Sequence, residues 1–225
     1  MFKRSILSVA LATTLFSTPL LANQAGDIYL RGGITNVSPN SDQSAIFLAD
    51  TDSTMSLSVG DDTQLGLNFV YFFTAEIALE VLAATPFTHD ITLHDPQAVL
   101  GADGIKLAEV THLPPTLSAL YYFNTEGRFQ PYVGVGVNYT IFFDESFTQA
   151  PKDLGLSNLS LDGSFGIAGQ IGADYHIDDS WHVNASIRYI NIETDASFDV
   201  AGDAIGSSSV DINPVVYSLM VGYTF

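Results

Sequence analysis

The feature that most constrains the fold is a strict alternation of side chains over residues 215–225. Every second residue there is apolar or aromatic, namely Val215, Tyr217, Leu219, Val221, Tyr223 and Phe225. Because successive side chains of a strand point to opposite faces, this period of two predicts a β-strand with one continuous apolar face. A soluble β-sandwich uses such strands. So does a transmembrane barrel, whose closing strand faces lipid and pairs with the first strand.

The N-terminus indicates export. Lys3 and Arg4 precede an apolar run at 6–16, and Ala22 provides a small residue at the expected cleavage point. This order of basic, apolar and small residues is typical of a secretory signal peptide. A membrane anchor would need about 20 apolar residues, whereas serines and threonines interrupt this run. We therefore predict a signal peptide at 1–22 and one mature domain at 23–225.

Composition narrows the class of the mature chain. It has no cysteine, which excludes a disulfide framework and thiol chemistry. Without Lys3 and Arg4, five of the seven basic residues remain against 25 acidic ones, a net charge near −20. That balance argues against a nucleic-acid partner, whose phosphates need basic side chains. No apolar run of about 18 residues follows the signal peptide, so any membrane crossing must use strands.

The mature chain divides into eight alternating segments joined by short and long connections in turn. The predicted strands are 27–37, 63–73, 76–87, 106–123, 129–143, 164–175, 181–189 and 215–225. The long polar loops between them are 38–62, 88–104, 144–163 and 194–209. Pro114 and Pro115 interrupt the fourth segment, and because proline cannot donate to a ladder they predict a bulge or an exposed rim. The pattern predicts an all-β, eight-stranded antiparallel transmembrane β-barrel of the up-and-down type, with short periplasmic turns and long extracellular loops.

Aromatic side chains gather toward both ends of the predicted strands. At the short-turn end they are Tyr71 to Phe73, Tyr121 to Phe123, Tyr175, Trp181 and Phe225. At the long-loop end they are Phe87, Tyr139, Phe142, Phe143, Phe147 and Tyr189. Two such groups are expected where a barrel meets the two membrane interfaces. A periplasmic β-sandwich also has alternating strands, but it has no need of aromatic girdles, so the barrel is favoured.

Alternation also assigns side chains to the barrel interior. The charged inward residues are Arg31, Glu80, Asp174 and Arg188. Eight strands leave an interior that side chains nearly fill, and a buried charge needs a partner, so we expect these residues to pair. They are predicted to hold the barrel together, with a transport role as the alternative. The apolar inward residues, which are the predicted lining of a solute tunnel or else ordinary packing, are Val70, Leu82, Leu120, Val216 and Met220.

Catalysis has one candidate group. His89 with Asp90, and His94 with Asp95, could form a water-activating group at the mouth together with the acidic pair at 61–62. The sequence has no nucleophile elbow, phosphate loop or zinc-spaced histidine pair, and no loop has EF-hand spacing. We therefore expect no enzymatic activity, no catalytic residue, no cofactor and no metal site, although divalent ions could bridge acidic loops and lipopolysaccharide phosphates.

Six segments distributed over the mature chain carry a family resemblance. They are 82–87, 112–116, 131–139, 169–170, 172–175 and 222–225. These segments resemble the outer-membrane protein W (OmpW) family. The resemblance implies a monomeric eight-stranded barrel in the outer membrane of a Gram-negative bacterium, with an apolar tunnel that opens sideways into the membrane. The closing alternation that ends on Phe225 also resembles the signal that the barrel-assembly machinery reads.

The function implied is a passive channel for small hydrophobic molecules. The alternative is a non-conducting barrel whose acidic surface loops bind a phage, a toxin or a host surface. Apolar residues of the third loop favour the channel because they offer a lip to apolar solutes; they are Leu154, Leu156, Leu159 and Leu161. The acidic loops favour the alternative. The expected partners are outer-membrane lipid and lipopolysaccharide, the assembly machinery and small hydrophobic solutes.

Overall fold

The computed structural model describes residues 22–40 and 44–225, so the predicted signal peptide lies almost wholly outside the described residues. Within these ranges the chain forms 15 strands and one short helix. In chain order they are β1 (Ile28–Ser38), β2 (Ser44–Leu48), β3 (Thr51–Val59), β4 (Asp62–Phe72), β5 (Ile77–Ala84), β6 (Phe87–His94), β7 (Lys106–Leu113), β8 (Thr116–Tyr122), β9 (Phe129–Phe147), α1 (Gln149–Asp153), β10 (Leu156–Leu161), β11 (Ser164–His176), β12 (Trp181–Ile190), β13 (Glu193–Val200), β14 (Asp203–Asp211) and β15 (Val215–Thr224). No helix within the described ranges is long and apolar enough to cross a membrane.

Eight of the strands close into an antiparallel barrel, which confirms the predicted fold. The ring runs β1, β4, β5, β8, β9, β11, β12, β15 and back to β1, and we call it the membrane barrel. The last strand pairs with the first from Tyr29–Thr224 to Ser38–Val215. Closure leaves no free strand edge, which is what a strand-based crossing of lipid requires.

The two faces of the membrane barrel differ as the period of two predicts. On β4, Leu65 and Leu67 are 64% and 60% exposed, whereas Asn68 and Val70 point inward and are buried. The same alternation holds on β15, where Leu219 is exposed and Met220 is buried. The outer face is therefore a continuous apolar band that is suited to lipid.

The long connections are more regular than the sequence analysis predicts, because strands occupy much of them. These strands are paired in the order β10, β13, β14, β2, β3, β6, β7 and the distal part of β9. They continue the wall beyond the membrane barrel, and we call this part the extracellular extension. Its outer face carries acidic and hydroxyl side chains in place of apolar ones, as at Asp195 and Ser197 on β13. Since that face meets water, the apolar-out signal that marks lipid-facing strands is missing there.

Three prolines separate the two parts. The strand predicted at 76–87 stops at Ala84 and restarts after Pro86, and the one predicted at 106–123 is divided by Pro114 and Pro115. Between these strands the ladder ends at the pair Leu82–Thr116 and resumes at Phe87–His112. Across this stretch of the wall no ladder joins residues 83–86 to residues 113–115. We call these two short segments the proline seam.

The aromatic groups are only partly as predicted. At the short-turn end most of the predicted aromatic side chains are exposed, as an interfacial girdle requires: Tyr71, Phe73, Tyr121, Phe123, Tyr175, Trp181 and Phe225. Phe72 and Tyr122 point inward. At the long-loop end Tyr139 and Tyr189 are exposed, but Phe87 and Phe147 are 1% and 4% exposed and belong to the interior. The girdle prediction is wrong for these two and for Phe142, which packs against the buried core of the extension. The break before β6 shifts the alternation by one residue at Phe87, and a register shift in β9, where Asp144 has a φ of 52°, does the same for Phe147.

Candidate functional site

A layer of charged side chains fills the middle of the membrane barrel. Arg31 donates from Nη2 to Oδ2 of Asp174 at 2.6 Å, and Arg188 donates from Nη2 to Oε1 of Glu80 at 2.5 Å. A third contact of 3.7 Å joins Arg31 Nη1 to Glu80 Oε2 and connects the two pairs. The structure therefore brings the four predicted interior charges together, and their formal charges cancel.

Polar side chains complete the hydrogen bonds of this layer. Glu80 accepts from Asn68 at 2.7 Å and from Gln170 at 2.8 Å, and Tyr122 donates to Asp174 at 2.9 Å. The four charged side chains are at most 2% exposed. Such burial is tolerable only because each charge has an opposite charge and further hydrogen bonds. The charged side chains of this layer are consequently inaccessible to solvent.

An aromatic cluster lies on the periplasmic side of the charged layer. It consists of Tyr29, Val70, Phe72, Ala78, Leu120, Tyr122 and Tyr132, and each is at most 2% exposed. The structure thus places Val70 and Leu120, two of the predicted tunnel residues, in a packed cluster. A third, Met220, is also buried, and its methyl group lies against Gly66.

The other two predicted tunnel residues lie on the extracellular side of the charged layer. Leu82 and Val216 line one small cavity together with Phe87, Pro114 and Ile190. Ala83, whose side chain points out of the barrel, borders the same cavity. The cavity therefore reaches from the apolar interior to the proline seam.

A larger apolar chamber occupies the extracellular extension above this cavity. It encloses about 60 Å³ of free space. Its lining side chains are apolar except for His89, His112 and Ser208; the apolar ones include Ile46, Leu57, Val110, Phe142, Leu159 and Phe198. The chamber and the small cavity share one hydrophobic core, in which Phe87, Ile190 and Val216 pack with the chamber residues.

The chamber is the part of the site that sequence reasoning missed. Most of its lining comes from segments predicted as polar loops. The available signal was the inward set Thr194, Ala196 and Phe198 between outward Asp195 and Ser197, an alternation with a polar outer face. Of the predicted lip, Leu159 and Leu161 line the chamber, whereas Leu154 is 51% exposed on the surface.

The structure does not assemble the candidate catalytic group. His89 points into the chamber, while Asp90 points outward and pairs with Lys106 at 2.7 Å. His94 lies 2.8 Å from the hydroxyl of Ser58, and Asp95 accepts backbone N–H groups of its own loop. Among the residues described, no three His, Cys, Asp or Glu side chains are placed to hold a metal ion.

Comparison with known proteins gives a consistent picture. The model of the OmpW family matches residues 24–225. The chain is 44% identical to outer membrane protein W of Vibrio cholerae over 99% of its own length and all of that protein. It is 29% identical to outer membrane protein AlkL of Ectopseudomonas oleovorans, over 93% of this chain and 79% of that protein.

Among solved structures, the fold matches the crystal structure of OprG from Pseudomonas aeruginosa with a TM-score of 0.85 and 38% identity. The match covers 92% of this chain and 99% of OprG. The protein is therefore an outer-membrane β-barrel of a bacterium. Because the family model matches residues 24–225 and outer membrane protein W of Vibrio cholerae aligns along its full length, this chain belongs to the OmpW family.

Proposed function

We propose that the protein is a passive channel for small hydrophobic molecules. In this proposal a solute enters the chamber from outside and leaves sideways into the membrane through the proline seam. The observation that carries the proposal is an apolar chamber stacked on a sealed charged layer. The path involves no chemical step and no cofactor, and the barrel acts as a monomer, as the family resemblance implies.

The chamber supports the entry step. Its lining offers almost no hydrogen-bonding groups, so a polar solute would lose its hydration without compensation. An apolar solute gains about 25 cal/mol for each Å² of surface that it removes from water. The chamber therefore favours hydrophobic molecules over hydrophilic ones.

The closed axis supports a sideways exit. Below the chamber a solute would have to pass the paired charges and then the aromatic cluster, and both are packed and buried. At the proline seam, by contrast, no ladder pairs residues 83–86 with residues 113–115. Since proline has no N–H to donate, a small opening there breaks few hydrogen bonds. Leu82 inside and Ala83 outside make this the shortest apolar route to lipid.

Filling the chamber tests the proposal. Ala196 is buried in the lining of the chamber, and replacing it with tryptophan should lower the uptake of naphthalene to the rate of cells without the protein. The physical reason is that an indole side chain at this position permanently occupies the free space into which a solute would have to fit. Uptake is measured in cells that express each variant, with heat-modifiable migration on a gel as the check of folding.

The matched control is Ser197→Trp, because Ser197 follows Ala196 on β13 and its side chain is exposed on the outer face. This variant should take up naphthalene at the wild-type rate. If both folded variants transport like the wild type, the chamber is not on the path, and binding of a partner by the acidic outer surface becomes the better proposal.

The alternative function has its own supporting observation. The outer face of the extracellular extension carries carboxylates at Asp90, Glu109, Asp195, Asp203 and Asp211. On a regular sheet these charges are held at fixed spacing. A cationic partner, or one bridged by divalent ions, would fit such a surface.

We also propose that the closing strand is the element that the assembly machinery binds. Phe225 is 69% exposed, its backbone N–H donates to the carbonyl oxygen of Ile28 at 2.9 Å, and its ring packs edge-on against Tyr223 on the lipid side of the last pair of strands. Phe225→Asp should sharply lower the amount of folded barrel in the outer membrane, measured by heat-modifiable migration. Phe123→Asp places the same change in the same girdle but outside the closing strand. An equal loss in both variants would mean that the girdle, and not the strand end, is what matters.

A further inference from the structure

Two histidines form a polar feature in the otherwise apolar chamber. His89 on β6 and His112 on β7 are both 3% exposed, and their Nε2 atoms lie 2.9 Å apart. The rings are tilted by only 22°, with centroids 4.9 Å apart, and Phe87 and Phe142 lie beside His112. Neither ring forms an ion pair or hydrogen bond with the charged layer.

Burial favours the neutral form of both imidazole rings. They belong to the extracellular extension, outside the membrane-spanning strands. Burial lowers the pKa of His89, against the opposing effect of Asp62, Asp61 and Asp90. Burial, together with the neighbouring His89, lowers the pKa of His112 to about 3, and only Asp62 opposes this. A neutral imidazole has one N–H donor and one nitrogen lone pair.

The surrounding hydrogen bonds fix which nitrogen carries each proton. His89 Nδ1 lies 2.5 Å from the carbonyl oxygen of Gly60, which can only accept, so Nδ1 is the protonated nitrogen of His89. Its Nε2 must then be the acceptor, and His112 Nε2 must be the donor between the two rings. The proton of His112 is thereby assigned to Nε2, which leaves Nδ1 with a lone pair.

That lone pair has no partner within the described part of the chain. His112 Nδ1 is buried and makes no hydrogen bond with residues 22–40 or 44–225. A buried acceptor without a donor costs about 1–3 kcal/mol, and a molecule that brings a donor recovers this free energy. His112 lines the chamber but its Nδ1 is covered by neighbouring side chains, so a solute bound in the chamber brings its donor to Nδ1 by displacing them.

We infer that the chamber selects hydrophobic molecules that carry one hydroxyl group, such as phenols and aliphatic alcohols, with His112 Nδ1 accepting the hydroxyl proton. This inference rests on the proposed channel function and names its preferred substrate class. Ethers, ketones and hydrocarbons bring no donor to Nδ1. Ammonium ions bring a donor, but their charge would have to be buried among apolar side chains.

The test compares two isomers, 4-ethylphenol and 4-methylanisole, which have the same formula but differ in having a hydroxyl donor. Binding is measured to the folded full-length protein in lipid nanodiscs, and partitioning into protein-free nanodiscs is subtracted. The wild type should bind 4-ethylphenol about tenfold more tightly than 4-methylanisole, as one recovered hydrogen bond provides. In the double variant His89→Phe, His112→Phe, which keeps two aromatic rings but removes both acceptors, the two isomers should bind equally.

A second measurement uses the wild type alone and does not depend on the folding of any variant. The nitrogen NMR resonance of His112 Nδ1 should move when 4-ethylphenol is added and stay in place with 4-methylanisole. The inference would be overturned if the resonance moved with neither isomer, or if the wild type bound both isomers with equal affinity. In the second case 4-methylanisole still binds, so the proposed channel function stands. If Ala196→Trp leaves the binding of both isomers unchanged, neither occupies the chamber, and the channel proposal fails as well.

Discussion

Replacing Glu80 with leucine is expected to lower the free energy of unfolding of the barrel by about 3–5 kcal/mol, the usual cost of removing one partner from a buried ion pair. Glu80 receives hydrogen bonds from Arg188, Asn68 and Gln170. Without it Arg188 would be a buried charge with no carboxylate, because Asp174 already pairs with Arg31. The change can be measured as the shift in the urea midpoint of the folded barrel in lipid.

Two variants make this result specific. Glu80→Leu combined with Arg188→Leu removes both charges and should recover much of the lost stability, since apolar replacements of a whole buried pair are often neutral. Glu126→Leu, in an exposed periplasmic turn, should change stability by no more than about 0.5 kcal/mol. Additive losses in the double variant would mean that Glu80 and Arg188 do not stabilise the barrel as a pair.

Replacing Leu82 with aspartate is expected to stop the uptake of hydrophobic solutes while the barrel remains folded. Leu82 is 6% exposed and lines the small cavity at the proline seam. A carboxylate there draws water into the narrowest apolar part of the proposed path, so that an apolar solute must displace it at a cost of several kcal/mol. Uptake of naphthalene by cells should fall at least tenfold.

The matched control is Leu82→Asn, which has nearly the shape of aspartate without its charge. It should slow uptake less than aspartate does, because an amide is less costly to dehydrate than a carboxylate. Wild-type uptake by a folded Leu82→Asp barrel would exclude the proline seam from the path. If Ala196→Trp still blocks uptake in that case, the chamber is on the path but has another exit.

The membrane barrel could be predicted from the sequence because lipid imposes one rule on every strand that crosses it. Outward positions such as Leu65, Leu67 and Leu219 must be apolar and must recur at every second residue, whichever strand is the partner. In the extracellular extension the outer face meets water, so Asp195 and Ser197 mimic a loop although they belong to a strand. The alternation is still present there, but the apolar residues face the interior and the alternating segments are short, so they are difficult to recognise in the sequence.

Alternation gives the face of a residue but not its partner. That Arg31 and Glu80 both point inward follows from the period of two, whereas the pairing of Arg31 with Asp174 depends on the stagger of eight strands. Breaks in the alternation cause a larger error, because they change the face to which a residue is assigned. The break at Thr85 and Pro86 shifts the alternation by one residue, so Phe87 faces the interior; Pro86 marks the break but does not show to which face the next residue turns.

The length of β9 has a consequence for how a solute meets the cell surface. Its 19 residues span about 60 Å at about 3.3 Å per residue, or about 45 Å along the membrane normal at a tilt of about 40°. The apolar band of an outer-membrane barrel is only about 25 Å tall, so about 20 Å of wall stands beyond it. That height is comparable with the polar region of phosphates and sugars that lies over the outer leaflet. A hydrophobic molecule in the chamber would therefore be separated from this polar layer by the wall of the barrel. It would reach the hydrocarbon of the membrane without partitioning into the sugar region.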